Sequence, residues 1–438
     1  MTQTFPASAM VHAPIEQRHY RQSALEVWTA AFVLLLPFQD SFIQDTPLRA
    51  LGSSLSIVPL AALLFLRVSQ FWNRPRSGVP MWLLLGLSYF LFVSALSLVV
   101  YGSFSNGTNL IGKAINITIL HGVFVFVIFG IDWNVEKLSI YIQAAFLIFV
   151  AILFLSDVVG LRALDGFPLH ASVNGNDRPR GPALEASTAG AFLISMGCLA
   201  ASVSKTRALR FFYIILAAVL LWTVRSKGAF AIFVFAVMAA TAFGRRTSFR
   251  NIFLAVVIGL ILGWIVMGDT IQQAANEMVA TGSTSVVTRL TLWLTPFAAL
   301  TGNPLGVGPT GYYPAISHYG LIVGNWLQDI TGLPSLFFLE VRDYFFVSTT
   351  EAIDTKTYMS NLVMMFGLPG LSLWVWGNGW LLWKVIRSDH ANKLYLIAAL
   401  TYVFLAGSTY VSSTQLFNMA AVYGVSLYVV RKAPSSTA

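Results

Sequence analysis

Long, unbroken apolar runs organise this chain. Met81 to Tyr101 (MWLLLGLSYFLFVSALSLVVY) passes 21 residues without a charge, and about 20 helical residues cross a hydrocarbon core of about 30 Å. Similar runs lie near 24–38, 51–67, 81–101, 110–131, 138–157, 185–203, 211–224, 228–243, 252–268, 361–383, 394–409 and 414–430. Lipid supplies no hydrogen-bond partners, so each run must satisfy its backbone within a helix or around a closed barrel. Barrel strands alternate apolar and polar positions, and these runs do not. The pattern predicts an all-α polytopic membrane protein with about 12 transmembrane helices.

Polar connections are short except at 158–184 and 269–360. They divide the chain into an N-terminal transmembrane bundle, 1–268, of about nine helices, a large outer loop or lid, 269–360, and a C-terminal part, 361–438, of about three. The lid reads as interfacial helices and loops, with amphipathic Val287 to Leu300 followed by Gly/Pro-rich Gly302 to Pro314. Within it, Gly306 to Gly311 spells G-x-G-x-x-G, but no strand precedes it and Pro309 and Pro314 oppose a helix after it. That context excludes a dinucleotide fold and leaves a turn-rich loop.

Composition agrees with this reading. Hydrophobic residues make up 56% of the 438 and charged residues 10%, against about a quarter charged in an ordinary soluble domain. A net charge of +9 would suggest nucleic acid only if it gathered on one soluble face; here the basic residues are parcelled out between apolar runs, so no nucleic-acid partner is expected. Lys and Arg stay on the cytoplasmic side of short loops. With both termini inside, 17 of the 27 basic residues fall on inner segments. The other ten are Arg49, Lys113, Arg162, Arg178, Arg180, Arg225, Lys227, Arg289, Arg342 and Lys356. The single Cys198 and six scattered histidines lack ligand spacing, so no metal and no cofactor are expected. The polar N-terminal segment reads as part of the mature chain, without a cleavable signal.

Basic residues on the outer side are the informative ones, since charge near a membrane is costly and usually kept for a ligand or partner. They form three groups: Arg178-Pro-Arg180-Gly181 ahead of Glu185, the tight turn Arg225-Ser226-Lys227-Gly228, and the outer loop with Arg289, Arg342, Lys356, Glu351 and Asp354. Lys113 lies one turn inside an outer helix end. Converging guanidinium and ammonium groups suit a diphosphate; the plainer alternative is snorkelling or ion pairing at the interface. His121, alone in mid-helix, reads as a packed interior residue.

Four strings carry a family resemblance. RGPALEASTAGAFLIS (Arg180 to Ser195) resembles the Arg-Gly then Glu-Pro-Ser pattern of Wzy-type polysaccharide polymerases, with Ala186 in place of the proline. TVRSKGAFAIF (Thr223 to Phe233) resembles their Ser-Arg/Lys-Gly turn, and RLTLWLTPFAALTGNPLGVGPTGYY (Arg289 to Tyr313) their Arg-aromatic-Gly-rich outer loop. KTYMSNLVMMFGLPGLSLW (Lys356 to Trp374) is similar to the helix after that loop. O-antigen ligases of the superfamily place a His-Asn pair eleven residues before a Gly-x-x-Gly. Counted from Gly367, Lys356 and Thr357 stand there instead, which favours a polymerase.

The resemblance implies a GT-C-like glycosyltransferase bundle of the bacterial inner membrane, with both termini cytoplasmic and the active site periplasmic. It would join undecaprenyl-diphosphate-linked oligosaccharide repeats without metal, with a chain-length regulator as an optional partner. Arg289 joins Glu185 and Asp354 as catalytic candidates; Arg178, Arg180, Arg225, Lys227, Lys356 and Lys113 would hold the diphosphate. Neutralising the leaving diphosphate replaces a general acid, and Glu185, with Asp354 and Glu351 in reserve, would orient the attacking hydroxyl. The alternatives are a ligase-type transferase acting on a lipid or protein acceptor, and a lipid-linked oligosaccharide flippase.

Overall fold

The computed structural model describes residues 15–46, 52–72, 81–105, 108–161, 170, 179–183, 185–244, 285–346, 357–411 and 416–432. The helix expected at 252–268 lies outside the described residues. Eight helices occupy the first half: α1 (Ile15–Leu35), α2 (Ile57–Trp72), α3 (Met81–Tyr101), α4 (Leu110–Gly130), α5 (Val135–Leu153), α6 (Ala186–Val203), α7 (Arg207–Val224) and α8 (Lys227–Gly244). Six follow: α9 (Ser285–Gly302), α10 (Gly308–Thr331), α11 (Leu339–Phe346), α12 (Tyr358–Arg387), α13 (Lys393–Thr409) and α14 (Leu416–Lys432). Among the described residues the only sheet is a two-residue ribbon pairing Phe104–Ser105 with Thr108–Asn109.

Five described helices are long and apolar enough to cross a membrane: Leu110–Gly130, Val135–Asp157, Ala186–Val203, Arg207–Val224 and Tyr358–Arg387. Shorter apolar helices cover Ser23–Leu35, Ile57–Val68, Leu85–Tyr101, Gly228–Phe243 and Lys393–Thr409. Asn109 and Asn134 start α4 and α5 by accepting from the N–H groups of Gly112 and Glu136 at 3.0 and 3.1 Å, which satisfies donors the first turn leaves free.

Helix α6 is the hub, buried along nearly its whole length and packed on α5, α7, α8, α13 and α14. Its small residues let neighbours come close, a packing mode suited to lipid, where no hydrophobic driving force pulls helices together. A Cβ on Gly190 would lie 2.8 Å from that of Ala229, and one on Gly197 would lie 2.8 Å from that of Ala217.

Among the described residues, α5, α6 and α7 run up and down against one another. At one end of the bundle, exposed ion pairs join Lys137 to Glu26 and Lys432 to Glu136, and Asn392 donates to the carbonyls of Ser202 and Ser204 at 2.9 and 3.1 Å. Chain direction along α5, α6 and α7 carries Asp157, Glu185 and Arg225 to the opposite end.

Residues 285–346 contain two long helices, α9 and α10, whose apolar cluster also takes in Met364 and Met365 of α12. The Gly/Pro-rich stretch does not stay a loop: α10 begins at Gly308, with Pro309 in its first turn and Pro314 inside. Pro309 is tolerated there because the first-turn N–H groups have no intrahelical acceptor. The G-x-G-x-x-G pattern therefore runs into a helix without a strand ahead of it among the described residues.

Helix α12 is two helices. Gly367 has φ 61° and ψ −144°, outside helical geometry. A Cβ on Gly370 would lie 2.5 Å from the Leu362 carbonyl oxygen, although eight residues of straight helix would separate them by roughly 12 Å. Tyr358 and Trp374 have ring centroids 5.2 Å apart. Residues 358–366 therefore fold back on 368–387 as a buried half-helix, and the single helix expected at 361–383 is broken near its start.

Candidate functional site

The chain approaches α6 through a tightly held segment. Gly181 has φ +52°, and a Cβ there would lie 3.1 Å from Leu153 Cβ. Its N–H donates to Asp157 Oδ2 at 3.2 Å, and the Gln39 N–H donates to the Pro182 carbonyl at 3.1 Å. Glu185 then takes an extended conformation ahead of α6. The Thr188 hydroxyl accepts from the Glu185 N–H at 3.1 Å and donates to its carbonyl at 2.8 Å. This anchors the Glu185 backbone to the first helical turn and leaves its side chain exposed, with the Ser187 hydroxyl on one carboxylate oxygen.

Arg180 is only 2% exposed. Its Nη1 lies 3.6 Å from Asp40 Oδ2, and Nδ1 of His170 lies 3.1 Å from the same oxygen. Instead of facing outward to meet a phosphate, this guanidinium is turned into the protein. Asp40, Asp157 and His170 are site-end residues that the sequence reading missed. The available signal was Asp40 itself, an acid beside the end of an apolar run in PFQDSF.

Arg225 is the only non-glycine residue with positive φ among the described residues, at φ 54° and ψ 33°. This left-handed residue ends α7, and Lys227 opens α8 two positions later. The turn is seated on α6: a Cβ on Gly190 would lie 3.1 Å from Ser226 Cβ. Ser226 is buried and Arg225 exposed. Gly190 lies five residues beyond Glu185, so Glu185 and the Arg225 turn share one end of one helix.

The other candidates are placed separately. Lys113 is partly buried, with its ammonium 5.3 Å from the centre of the Tyr313 ring. Arg289 is exposed on α9, one turn before Trp293, whose indole donates to the Ser408 carbonyl at 2.9 Å. Arg178, Asp354, Glu351 and Lys356 lie outside the described residues. Thr357 caps the half-helix by accepting from the Ser360 N–H at 3.2 Å, and the Tyr358 N–H donates to the Val411 carbonyl at 2.9 Å. A Cβ on Gly228, in the first turn of α8, would lie 4.0 Å from the Tyr410 ring. His121 stacks on Tyr358 at 5.5 Å. Among the described residues, no three His, Cys, Asp or Glu side chains are grouped to hold a metal ion.

The exposed carboxylate of Glu185 could accept a proton from a sugar hydroxyl, and the exposed guanidinium of Arg225 could face an anion. No protein-family model matches the chain. A stretch of 192 residues is 27% identical to an "Uncharacterized 49.5 kDa protein in cps region" of Klebsiella pneumoniae, covering 44% of this chain. The match spans 43% of that protein, less than half its length.

Proposed function

We propose that the protein is a membrane glycosyltransferase that polymerises undecaprenyl-diphosphate-linked oligosaccharide repeats into a surface polysaccharide, at the periplasmic face of the bacterial inner membrane. The observation that carries this reading is the seating of the exposed, left-handed Arg225 turn on the helix that Glu185 begins. The relative from a cps (capsule polysaccharide) region supports the substrate class.

In the proposed reaction a sugar hydroxyl of one repeat attacks the anomeric carbon of another. The new C–O bond forms as the bond to the diphosphate breaks, and the electron pair leaves with the lipid diphosphate. The proton passes to the Glu185 carboxylate. Arg225, with Lys227 two residues on in the same turn, offsets the charge that develops on the leaving group, the kind of electrostatic help that removes the need for a general acid.

The test is direct. Cells lacking the protein should accumulate single lipid-linked repeats, and purified protein given that material should produce a ladder of products. A single transfer to a lipid or protein acceptor would point to a ligase-type enzyme. Movement of the intact lipid-linked repeat across vesicles, without new glycosidic bonds, would point to a flippase.

A further inference from the structure

Three ionisable side chains from distant parts of the chain meet at the site end of the bundle with almost no exposure: Asp40 at 0%, His170 at 1% and Arg180 at 2%. One carboxylate oxygen faces both Nδ1 of His170 and Nη1 of Arg180, at 3.1 and 3.6 Å. Burying the charge of Asp40 or Arg180 without a partner is strongly unfavourable. Burying both is not an efficient route to stability either, because apolar residues of similar volume often do as well. Geometry is the better reason for keeping them.

The geometry in question is the approach to Glu185. From Arg180 the chain is pinned at Gly181 by Asp157 and Leu153, and at Pro182 by the Gln39 N–H. Ala183 is fully buried, and two residues later Glu185 stands exposed at the start of α6. The residues that hold this strut come from the turn after α1 and from the connection between α5 and α6.

We propose that Asp40 and His170 are positioning residues: by holding Arg180, they set through the 180–183 strut where the Glu185 carboxylate stands relative to the Arg225 turn. Arg180 then acts through the strut and does not touch the substrate. The charge facing the diphosphate comes from Arg225 and its neighbours. The activity half of this proposal rests on the glycosyltransferase reading above; the pairing half does not.

The experiment uses the full chain in membranes and in detergent, with Asp40→Asn, Arg180→Gln and the double variant. Each single variant takes away one partner of a buried charge and should melt lower than wild type. The double variant, with two neutral amides able to hydrogen-bond, should melt above both singles. His170→Ala should lower the melting temperature of the wild type but not of the double variant. Given the lipid-linked repeat that accumulates in cells lacking the protein, each single should lower kcat roughly tenfold while KM stays within about twofold, the signature of lost positioning. The double should recover part of that loss.

Melting shifts that simply add in the double variant would overturn the pairing. If the singles cannot be recovered from membranes, recovery of the double alone upholds the coupling and its absence sinks it. A raised KM in Arg180→Gln that Asp40→Asn does not share would put Arg180 on the substrate and end the positioning role. A coupled melting cycle in a protein that forms no glycosidic bond would uphold the pairing and overturn the transferase reading.

Discussion

Gly306 and Gly367 cross backbone to backbone: a Cβ on Gly306 would lie 2.6 Å from the Gly367 nitrogen. The fold-back at Gly367 strips neighbouring backbone groups of their helical partners, and such groups need other partners. The 304–307 turn supplies the missing bonds. Val307 N–H donates to the Met364 carbonyl at 2.9 Å, and Leu368 N–H donates to the Pro304 carbonyl at 2.8 Å. The Tyr89 hydroxyl reaches the Leu305 and Phe366 carbonyls at 2.7 and 3.0 Å. Both glycines have positive φ, +88° and +61°, so a side chain at either meets both backbone strain and a clash. Gly306→Ala and Gly367→Ala should each destabilise by about 3 kcal/mol or more. Gly377→Ala is the control, because a Cβ there meets nothing within 4 Å, and alanine should gain about 0.5 kcal/mol in helix propensity. Denaturation in mixed micelles reads all three. A Gly367→Ala protein melting within about 2 °C of wild type would remove the crossing.

What could be read from the sequence was what is local. An apolar run announces a helix because its length and polarity lie within the run, and most expected helices stand near their places. The Arg225 turn and the Glu185 helix start were also visible as residue types at short spacing. Three features were not. The break at Gly367 is hidden because MFGLPGLSLW has apolar residues on both sides and its glycines read as a motif; contacts with residues distant in sequence, such as Gly306, are invisible to it. Pro309 and Pro314 read as helix breakers, yet Pro309 sits where a missing N–H costs nothing. Asp40 and His170 are 130 residues apart in sequence, and no local pattern joins them.

Arg225 offers a test that separates strain from charge. A non-glycine residue in the left-handed region carries roughly 1 kcal/mol of strain, and glycine would relieve it at a similar cost in unfolded-state entropy, also roughly 1 kcal/mol. Arg225→Gly should therefore melt close to wild type, while transfer falls at least about tenfold through loss of leaving-group stabilisation. Arg225→Lys keeps the charge and should retain more activity than the glycine variant. Equal activity in the two would show that the turn matters for shape alone.

Glu185 carries two roles that can be pulled apart. Its backbone is tied to Thr188, so Glu185→Gln should leave α6 and the melting temperature nearly unchanged. A lost general base costs about 10² to 10⁴ in rate, and the same variant should lose polymer formation to that extent. Thr188→Val should do the reverse, lowering stability by about 1 kcal/mol through the lost helix-start bonds and sparing the chemistry in whatever protein remains folded. Polymer of wild-type length from Glu185→Gln would take the base away from this residue.

His390, between α12 and α13 at the end of the bundle opposite Glu185, makes the protein's stability depend on pH in a definite direction. Burial lowers its pKa below the ordinary 6.5, a hydrogen bond with the Ser202 backbone works against that, and the nearby charge of Arg210 lowers it further. The unfolded chain therefore binds a proton at pH values where the folded protein does not, so stability must rise with pH across that window. The contribution is complete above the unfolded value of 6.5 and is lost as pH falls from there through the lowered folded value. Arg210 also donates from Nε to the Ser204 carbonyl at 3.2 Å, which keeps its charge close to the ring. Melting of the detergent-solubilised protein between about pH 5 and 7.5 should show this decline, and His390→Gln should flatten it. A slope that survives the substitution would assign the acid sensitivity to another group.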